Sequence, residues 1–296
     1  MVLSLHKKIK SILTKAFVGG DWKVAYKVID DRNAQYQIVD TPDGTWAADP
    51  FLYETDGEHY LFVELCLKKK DKGVIAYYHF INGKPVFQNT IIESSYHMSY
   101  PCVFSCDGER YMIPETADNG SIDLYKAVEF PRQWKKVATL ITHEKYVDTT
   151  VFCLNNRYYV VSYRKATSGW SLDFFELDMV GYQLHKIGSK EYKNNIGRPA
   201  GNFYEQNGLI RPAQNCSLKY GEEIILNKVM TDGKKFEERE KGRIQIADIT
   251  LPVKAQRIHT YNTDSTYEVV DLYVEKFNPL HGVQTFWRAY LKKYFK

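Results

Sequence analysis

The stretch Trp46-Ala-Ala-Asp-Pro-Phe-Leu-Tyr-Glu-Thr-Asp-Gly-Glu-His-Tyr-Leu-Phe-Val-Glu64 has a polar start, two β-rich runs and a tight turn between them. Asp56-Gly57 predicts a two-residue hairpin loop, because a type I′ turn needs positive φ at both central positions. The same pattern recurs at 99–115, 147–163 and 198–214, with the turns Asp107-Gly108, Asn155-Asn156 and Asn207-Gly208. The chain is therefore organised around four copies of one hairpin.

Successive copies of this hairpin begin about 50 residues apart, and each interval leaves room for two further strands. A period of this length built from four strands is typical of a propeller blade. A fifth, less regular unit follows at Ile258–Asn262, with a return strand at Tyr267–Asp271. We predict an all-β fold, a five-bladed β-propeller over residues 21–278, closed by a strand from residues 21–40.

Both ends of the chain show helical spacing of apolar residues. Residues 1–20 alternate apolar side chains with lysines, and residues 279–296 are aromatic and basic. We predict a short amphipathic helix at each end. Two interpretations of these helices stay open: packing against the propeller, or peripheral contact with an anionic membrane.

The composition is that of an ordinary soluble protein, with 44% hydrophobic and 26% charged residues. A formal net charge of +4 is too small to indicate nucleic-acid binding. The five cysteines include no CxxC pair, so we predict free thiols, buried for Cys102, Cys106 and Cys153, in a reducing compartment. No signal peptide and no apolar stretch of about 20 residues is present. We expect a cytoplasmic protein, located at the inner face of the membrane if the terminal helices bind it.

The turns also set the strand register, because opposed residue numbers in a hairpin add to a constant. Thr55 opposite Glu58 places Asp49 opposite Glu64. The other copies then pair Tyr100 with Glu115, Asp148 with Tyr163, and Gly201 with Gln214. These polar residues lie at the hairpin ends away from the turns, and these ends open on one face of a propeller.

Carboxylates that converge on a pocket suit glycosidic chemistry, in which one group protonates the leaving oxygen and another activates water or a hydroxyl. Asp49 is the candidate base. Glu64 or Glu115 is the candidate acid, if burial or a neighbouring carboxylate raises its pKa. The alternative is structural: the acidic side chains satisfy backbone ends and pair with Arg198 or Arg164.

Three blade openings, Ala48-Asp49-Pro50, Tyr100-Pro101 and Val147-Asp148, resemble those of the arabinanase, xylosidase, levansucrase and invertase superfamily of five-bladed propellers. The resemblance implies that Asp49 is the base or nucleophile, and that Asp148 tunes the acid and orients the substrate. His259 resembles the channel histidine that helps to hold an ion in arabinanases, and a hydrogen-bonded core histidine is the alternative. Apart from that channel ion, no metal or other cofactor is predicted.

A second resemblance covers most of residues 40–275. The strings Asp-Pro-Phe, Ile-Pro-Glu-Thr, Arg-Pro-Ala-Gly-Asn, Ile-Arg-Pro-Ala-Gln-Asn-Cys and His-Thr-Tyr-Asn are similar to the N-terminal propeller domain of plant glucosamine inositolphosphorylceramide transferases. Similar bacterial proteins are often tied to surface-polysaccharide assembly, which implies that role here.

The fourth hairpin departs from the glycosidases, which usually offer a general acid there in a Glu-Gly-Pro context. The corresponding stretch in this chain is Arg198-Pro199-Ala200-Gly201. Arg198 and Arg211 instead favour an anionic ligand, such as a sugar phosphate, a nucleotide sugar or an acidic glycan.

We therefore predict a carbohydrate-active propeller that transfers glycosyl groups in surface-polysaccharide or glycoconjugate biosynthesis, with an anionic ligand. The alternatives are an inverting glycoside hydrolase and a non-catalytic glycan-binding domain that serves a partner glycosyltransferase. The candidate catalytic residues are Asp49, Asp148, Glu115 and Glu64. The candidate substrate-binding residues are Trp46, Tyr100, Arg164, Arg198, Arg211, Gln214, Asn215 and His259; Trp46, Tyr100 and also Trp170 are candidate stacking faces for sugar rings.

Overall fold

The computed structural model describes residues 18–29, 35–279 and 282–283, which form five antiparallel sheets. Blade one contains β3 (Thr45–Thr55), β4 (Glu58–Leu67), β5 (Lys72–Ile81) and β6 (Lys84–Ile92). Blade two contains β7 (Ser99–Cys106), β8 (Glu109–Thr116), β9 (Ser121–Glu129) and β10 (Gln133–Thr142). Blade three contains β11 (Val147–Leu154), β12 (Arg157–Ala166), β13 (Gly169–Asp178) and β14 (Gln183–Tyr192). In each of these blades the strands pair in chain order, which confirms the predicted four-stranded unit.

Blades four and five are less regular. The first strand of blade four is split into β15 (Arg198–Pro199) and β16 (Tyr204–Glu205), which both pair with β17 (Leu209–Asn215). Strands β18 (Glu223–Thr231) and β19 (Phe236–Ile244) complete blade four. Blade five contains β20 (Arg257–Thr263), β21 (Tyr267–Phe277), β1 (Val18–Val28) and β2 (Gln37–Ile38). The predicted five-bladed, all-β propeller is confirmed.

Strand β1 closes the ring by pairing with β21 along its whole length, from Val18 opposite Phe277 to Val28 opposite Tyr267. Closure by a strand from the start of the chain is therefore confirmed. The predicted N-terminal helix is wrong for Val18–Gly20, which belong to β1 because their backbone groups pair with the last strand. The rest of that helix lies outside the described residues, as does most of the predicted C-terminal helix, of which Gly282 and Val283 are helical.

The predicted hairpin turns have the expected geometry. Asp56 and Gly57 have φ of 54° and 75°, and Asp107 and Gly108 have φ of 50° and 77°. Register follows the predicted rule as far as Phe51 opposite Phe62. The turns therefore fix the strand pairing over most of each hairpin.

Near the end away from the turn, the first strand of each regular hairpin contains a bulge. The bulged residues Asp49, Tyr100 and Asp148 have φ of 47°, 47° and 51°. Their predicted partners are wrong by one position, because the extra residue leaves Ala48 opposite Glu64, Ser99 opposite Glu115 and Val147 opposite Tyr163. In blade four Gln214 lies opposite Arg198, and not opposite the predicted Gly201.

The core lies between neighbouring blades and is built from alternate residues of the inner strands, such as Phe51, Phe62 and Ile113, which are fully buried. None of the five cysteines, all of which lie in the described part of the chain, forms a disulfide. Cys102 and Cys106 are buried as predicted, but Cys153 is exposed, because it alternates along its strand with buried Phe152. Among the residues that the structure describes, no helix has the length and apolar character to cross a membrane.

Candidate functional site

Five acidic side chains lie close together on the propeller face at which the hairpin strands β3, β7 and β11 begin. We call this group the carboxylate pocket; it contains Asp49, Glu64, Glu115, Asp148 and Asp271. All of them are buried except Glu115, whose side chain is 15% exposed. Asp49, Glu115 and Asp148 interact electrostatically although they come from three different blades. The structure therefore brings the four predicted catalytic residues together.

Carboxylates hold the bulges in place. Asp271 accepts hydrogen bonds from the backbone amides of Asp49 (3.0 Å), His259 (3.1 Å) and Thr260 (2.8 Å). Glu115 accepts one from the amide of Asp148 at 3.1 Å. Since these amides have no ladder partner inside the bulge, an acidic side chain satisfies each of them. The bulges turn the side chains of Asp49 and Asp148 towards the pocket.

Asp49 has two partners from blade five. Its Oδ1 accepts a 2.9 Å hydrogen bond from the hydroxyl of Thr260 and lies 3.5 Å from Nε2 of His259. Burial raises the pKa of Asp49 to about 7, helped by the charges of Glu64 and Asp148 and opposed by His259. A carboxyl group with this pKa can both release and accept a proton near neutral pH.

His259 is held on every side. Its Nδ1 lies 2.5 Å from Oδ2 of Asp271, and its ring stacks on Trp22 with 4.0 Å between centroids. Tyr220 packs edge-on against the same ring at 5.0 Å. Burial disfavours the charged ring, but Asp271 and Asp49 outweigh it and raise the pKa of His259.

The ligand atoms of Asp49, His259 and Asp271 lie within 4.8 Å of one another, so we tested whether they fit the channel ion. They fit poorly. Both oxygens of Asp271 already accept backbone amides, and one ring nitrogen of His259 is directed at Asp271. The contacts of His259 favour the alternative of a hydrogen-bonded histidine.

Asp148 is paired with Arg198 through both of its oxygens. Nε of Arg198 bonds Oδ2, and Nη2 lies 3.1 Å from Oδ1 and 3.5 Å from Oε2 of Glu115. Gln214 donates a further 2.8 Å hydrogen bond to Oδ2 of Asp148. Burial and the charge of Asp148 raise the pKa of Glu115 well above its ordinary value, against the guanidinium of Arg198. Blades three and four thus supply the ion pair of Asp148 and Arg198, and blade two adds the carboxyl group of Glu115, which favours its protonated form.

Glu64 has a partner that the sequence did not indicate. Nε2 of His97 lies 3.1 Å from Oε1 of Glu64, while Nδ1 of His97 accepts a 3.0 Å hydrogen bond from the amide of Gly73. Because Nδ1 is an acceptor, the hydrogen of the neutral ring is on Nε2, the nitrogen next to the carboxylate of Glu64. Burial opposes the charged ring, but Glu64 raises the pKa of His97.

Three predicted substrate-binding residues lie away from the pocket. Arg211, which the sequence placed near it, is fully buried inside blade four, where it bonds Glu238 and the carbonyl of Gly197. Arg164 pairs with Asp173 at 2.9 Å. The amide of Asn215 donates to Glu223 at 2.8 Å. These contacts are structural.

The aromatic candidates also have other surroundings. Tyr100 is fully buried; its hydroxyl accepts the amide of Gly201 at 2.7 Å and bonds Thr150 at 2.9 Å. It therefore joins blades two, three and four and offers no face to a sugar. Trp170 stacks on Tyr163. Trp46 lines a separate cleft on the same rim.

Several residues at the site were not predicted from the sequence: Trp22, His97, Tyr220, Thr260 and Asp271. One signal could have found Asp271. It ends the predicted return strand of blade five, just as Glu64 and Glu115 end the corresponding strands of blades one and two. No sequence pattern points to Trp22, which lies at the site because β1 pairs with β21 and closes blade five.

Comparisons with known proteins agree with this architecture. Glucosamine inositolphosphorylceramide transferase 1 of Arabidopsis thaliana is 30% identical over 223 residues, which are 71% of this chain and 28% of that protein. The chain thus spans less than a third of that relative. A protein of unknown function from Dyadobacter fermentans superimposes with a TM-score of 0.56 at 10% identity, over 88% of this chain and 99% of that one. The GH43_1 enzyme from Xanthomonas citri, solved with xylotriose, superimposes with a TM-score of 0.53 at 10% identity, over 79% of this chain and 87% of that one.

The two structural similarities establish the fold alone, since both identities are low. The model of the family described as glucosamine inositolphosphorylceramide transferase 1, N-terminal, matches residues 7–260. This match covers most of the chain, including the four hairpins and the start of blade five, and it confirms the resemblance seen in the sequence. The chain belongs to the family of the N-terminal domain of glucosamine inositolphosphorylceramide transferase 1.

Proposed function

We propose that this propeller acts on carbohydrate and transfers a glycosyl group during the assembly of a glycoconjugate or surface polysaccharide. The observation that carries the proposal is Asp49, a buried carboxyl group with a pKa of about 7 at the centre of the carboxylate pocket. A group that titrates near neutral pH is suited to general acid–base catalysis. The glycosyl transfer in the name of the Arabidopsis relative supports the same class of reaction.

In this proposal Asp49 takes the proton from an acceptor hydroxyl while the hydroxyl oxygen bonds to the anomeric carbon and the leaving group departs with its bonding electrons. Thr260 and His259 hold the carboxyl group of Asp49 in place. Glu115, which favours its protonated form, donates a hydrogen bond to a sugar oxygen or protonates the leaving group. Asp148 is held in place by Arg198; in this proposal it orients the sugar and does not donate a proton.

Two features weigh against other interpretations of the sequence. Arg198 stands where hydrolases of this fold class were expected to keep their acid, so inverting hydrolysis has less support. The sequence also predicted that Arg198 and Arg211 bind an anionic ligand, but Arg198 faces two carboxylates and Arg211 is inside blade four. A hydroxyl-rich, neutral part of the ligand therefore suits the carboxylate pocket itself.

A glycan-binding module without catalysis is the second candidate. Its specific support is the pairing of Asp148, whose oxygens accept hydrogen bonds from Arg198 and Gln214. These contacts hold the side chains in a fixed arrangement. Polar side chains fixed in this way would bind sugar hydroxyls by hydrogen bonds, without any proton transfer. The module would serve a separate glycosyltransferase.

Turnover and binding measured together separate the two candidates. The wild type, Asp49→Asn and the control Asp248→Asn would be incubated with nucleotide sugars and oligosaccharide acceptors, and binding would be followed by calorimetry. Asp248 is exposed, so its replacement should change neither quantity. Transfer predicts turnover that falls at least about 100-fold in Asp49→Asn while binding persists. Binding without turnover in all three proteins would establish the module, and an absence of both would overturn both candidates.

A further inference from the structure

A cleft of about 230 Å³ lies between blades one and five, on the same propeller face as the carboxylate pocket. Its walls come from the start of β1, the segment 41–46 that leads into β3, and the residues that follow β4. The residues used below are Asp21, Trp22, Lys23, Trp46, Lys68 and Lys276. None of them was assigned a role by the proposed function.

Two lysines of this cleft converge on one carboxylate. Nζ of Lys68 lies 2.7 Å and Nζ of Lys276 lies 3.4 Å from the same oxygen, Oδ2 of Asp21. An ammonium group has three hydrogen-bond donors, so each lysine keeps donors for a further acceptor. Both side chains are accessible, with 39% and 58% of their surface exposed. Two ammonium groups that one acid holds a few ångströms apart could together contact a second, multivalent anion.

The charges around the cleft have the sign that such an anion needs. Lys23, Lys68 and Lys276 line it against the two acids Asp21 and Asp43. The carboxylate pocket next to it is dominated by acidic groups and would repel an anion. An anionic ligand on this face is therefore directed to the cleft and away from Asp49.

The cleft and the pocket share a wall. Trp22 lines the cleft and stacks on His259 at 4.0 Å, and Nε2 of His259 lies 3.5 Å from Oδ1 of Asp49. Trp46 lines the cleft as well and offers it an aromatic surface. A ligand that lies across Trp22 and His259 would therefore have one end in the cleft and the other end at the carboxylates.

We propose that this cleft binds the phosphate of a glycosyl phosphate, with Lys68 and Lys276 as its cationic ligands and Trp46 as its aromatic wall. The assignment rests on the proposed function for the sugar, but the phosphate site stands on its own contacts. A sugar 1-phosphate and the diphosphate of a nucleotide sugar share the chemistry that these lysines recognise.

Tryptophan fluorescence and calorimetry test the site with glucose 1-phosphate, UDP-glucose and glucose, at low and high salt. We expect the phosphorylated probes to bind at least tenfold more tightly than glucose, with an affinity that falls as salt is added. Lys68→Gln/Lys276→Gln should lose at least tenfold in affinity for phosphorylated probes. Lys84→Gln/Lys135→Gln, exposed lysines outside the cleft, remove the same charge and should bind as the wild type does.

A second variant, which should bind phosphate more tightly than the wild type, distinguishes loss of the site from misfolding, since a misfolded protein would not gain affinity. Asp21→Asn removes the carboxylate that competes for both ammonium groups, so phosphate affinity should rise at least twofold. Preferential binding of UDP-glucose over glucose 1-phosphate would identify a nucleotide sugar as the source of the phosphate, and the reverse would identify the sugar 1-phosphate. Equal affinities of the wild type and the Lys68/Lys276 variant would overturn the proposal.

The outcomes also separate this site from the proposed function. If the lysine variant loses phosphate affinity while Asp49→Asn keeps full turnover, the cleft stands and the role of Asp49 falls. If Asp49→Asn abolishes turnover while the lysine variant binds phosphate normally, the role of Asp49 stands and the phosphate site in the cleft falls.

Discussion

Asp271 accepts a hydrogen bond from the backbone amide of Asp49, a residue 222 positions earlier in the chain. The same carboxylate accepts the amides of His259 and Thr260 and contacts the ring of His259. One buried side chain therefore fixes the bulges of blades one and five together. It sets the position of Asp49 without being close enough in sequence to be recognised as its partner.

Replacing Asp271 should destabilise the protein strongly. Asp271→Ala leaves three buried amides without an acceptor, and we expect a loss of about 3–5 kcal/mol in the free energy of unfolding. Asp271→Asn keeps one acceptor oxygen and should lose less. Urea unfolding would measure both, with Asp248→Ala as the exposed control, expected to stay within about 0.5 kcal/mol. A loss below about 1 kcal/mol for Asp271→Ala would contradict the role of this side chain.

The ionisation of Asp49 should make stability depend on pH in an unusual direction. Its folded pKa of about 7 exceeds the ordinary value of 3.8, so between these values the folded state binds a proton that the unfolded state has released. Stability therefore falls as pH rises from about 4 to 7. Asp49→Asn mimics the neutral acid and should gain about 2–4 kcal/mol relative to the wild type between pH 4 and pH 8. Urea unfolding across this range measures the gain, and a difference that does not change with pH would refute it.

Breaking the pair between Arg198 and Asp148 should cost far more than breaking an exposed pair. Arg198→Ala leaves Asp148 and Glu115 facing each other without a cation, and we expect a loss of about 3–5 kcal/mol in unfolding free energy. Arg198→Lys keeps the charge but not the two-pronged geometry, so it should recover only part. Arg157 and Glu176, 3.3 Å apart and exposed, give the control; Arg157→Ala should cost less than about 1 kcal/mol. Similar losses for both alanine variants would count against the buried pair.

The contact between Glu64 and His97 depends on the absence of a side chain at Gly73. A Cβ atom there would lie 2.5 Å from the carbonyl of Met98, 2.8 Å from Oε1 of Glu64 and 2.9 Å from Cε1 of His97. Gly73→Ala should therefore displace both side chains and cost about 1–3 kcal/mol in unfolding free energy. Histidine resonances in NMR spectra would also report a lower pKa for His97. Gly242→Ala, where a Cβ meets nothing within 4 Å, should leave stability and the His97 resonance unchanged.

The blades were predictable from the sequence because Asp-Gly and Asn-Asn turns recur at a regular period, and each such turn dictates its own pairing. The site was predictable only in part. Counting from the turn placed Asp49 and Glu115 at the correct end, but it missed the bulges, because Asp and Tyr with positive φ carry no sequence signal comparable to glycine. Arg211 was misplaced because a strand pattern gives the face of a residue, but not which buried partner, here Glu238, lies across from it.

Closure of blade five by β1 has a consequence for how the protein matures. Asp271 and Trp22 come from strands that pair only when the two ends of the ring meet, and both support His259 beside Asp49. Bringing such distant segments together has a high entropic cost and is slow compared with forming a single hairpin. A chain with four finished blades and an open fifth would thus carry most of the strands but no organised Asp49. An organised Asp49 therefore requires the closed ring, and binding of a ligand at the carboxylate pocket would report that the ring has closed.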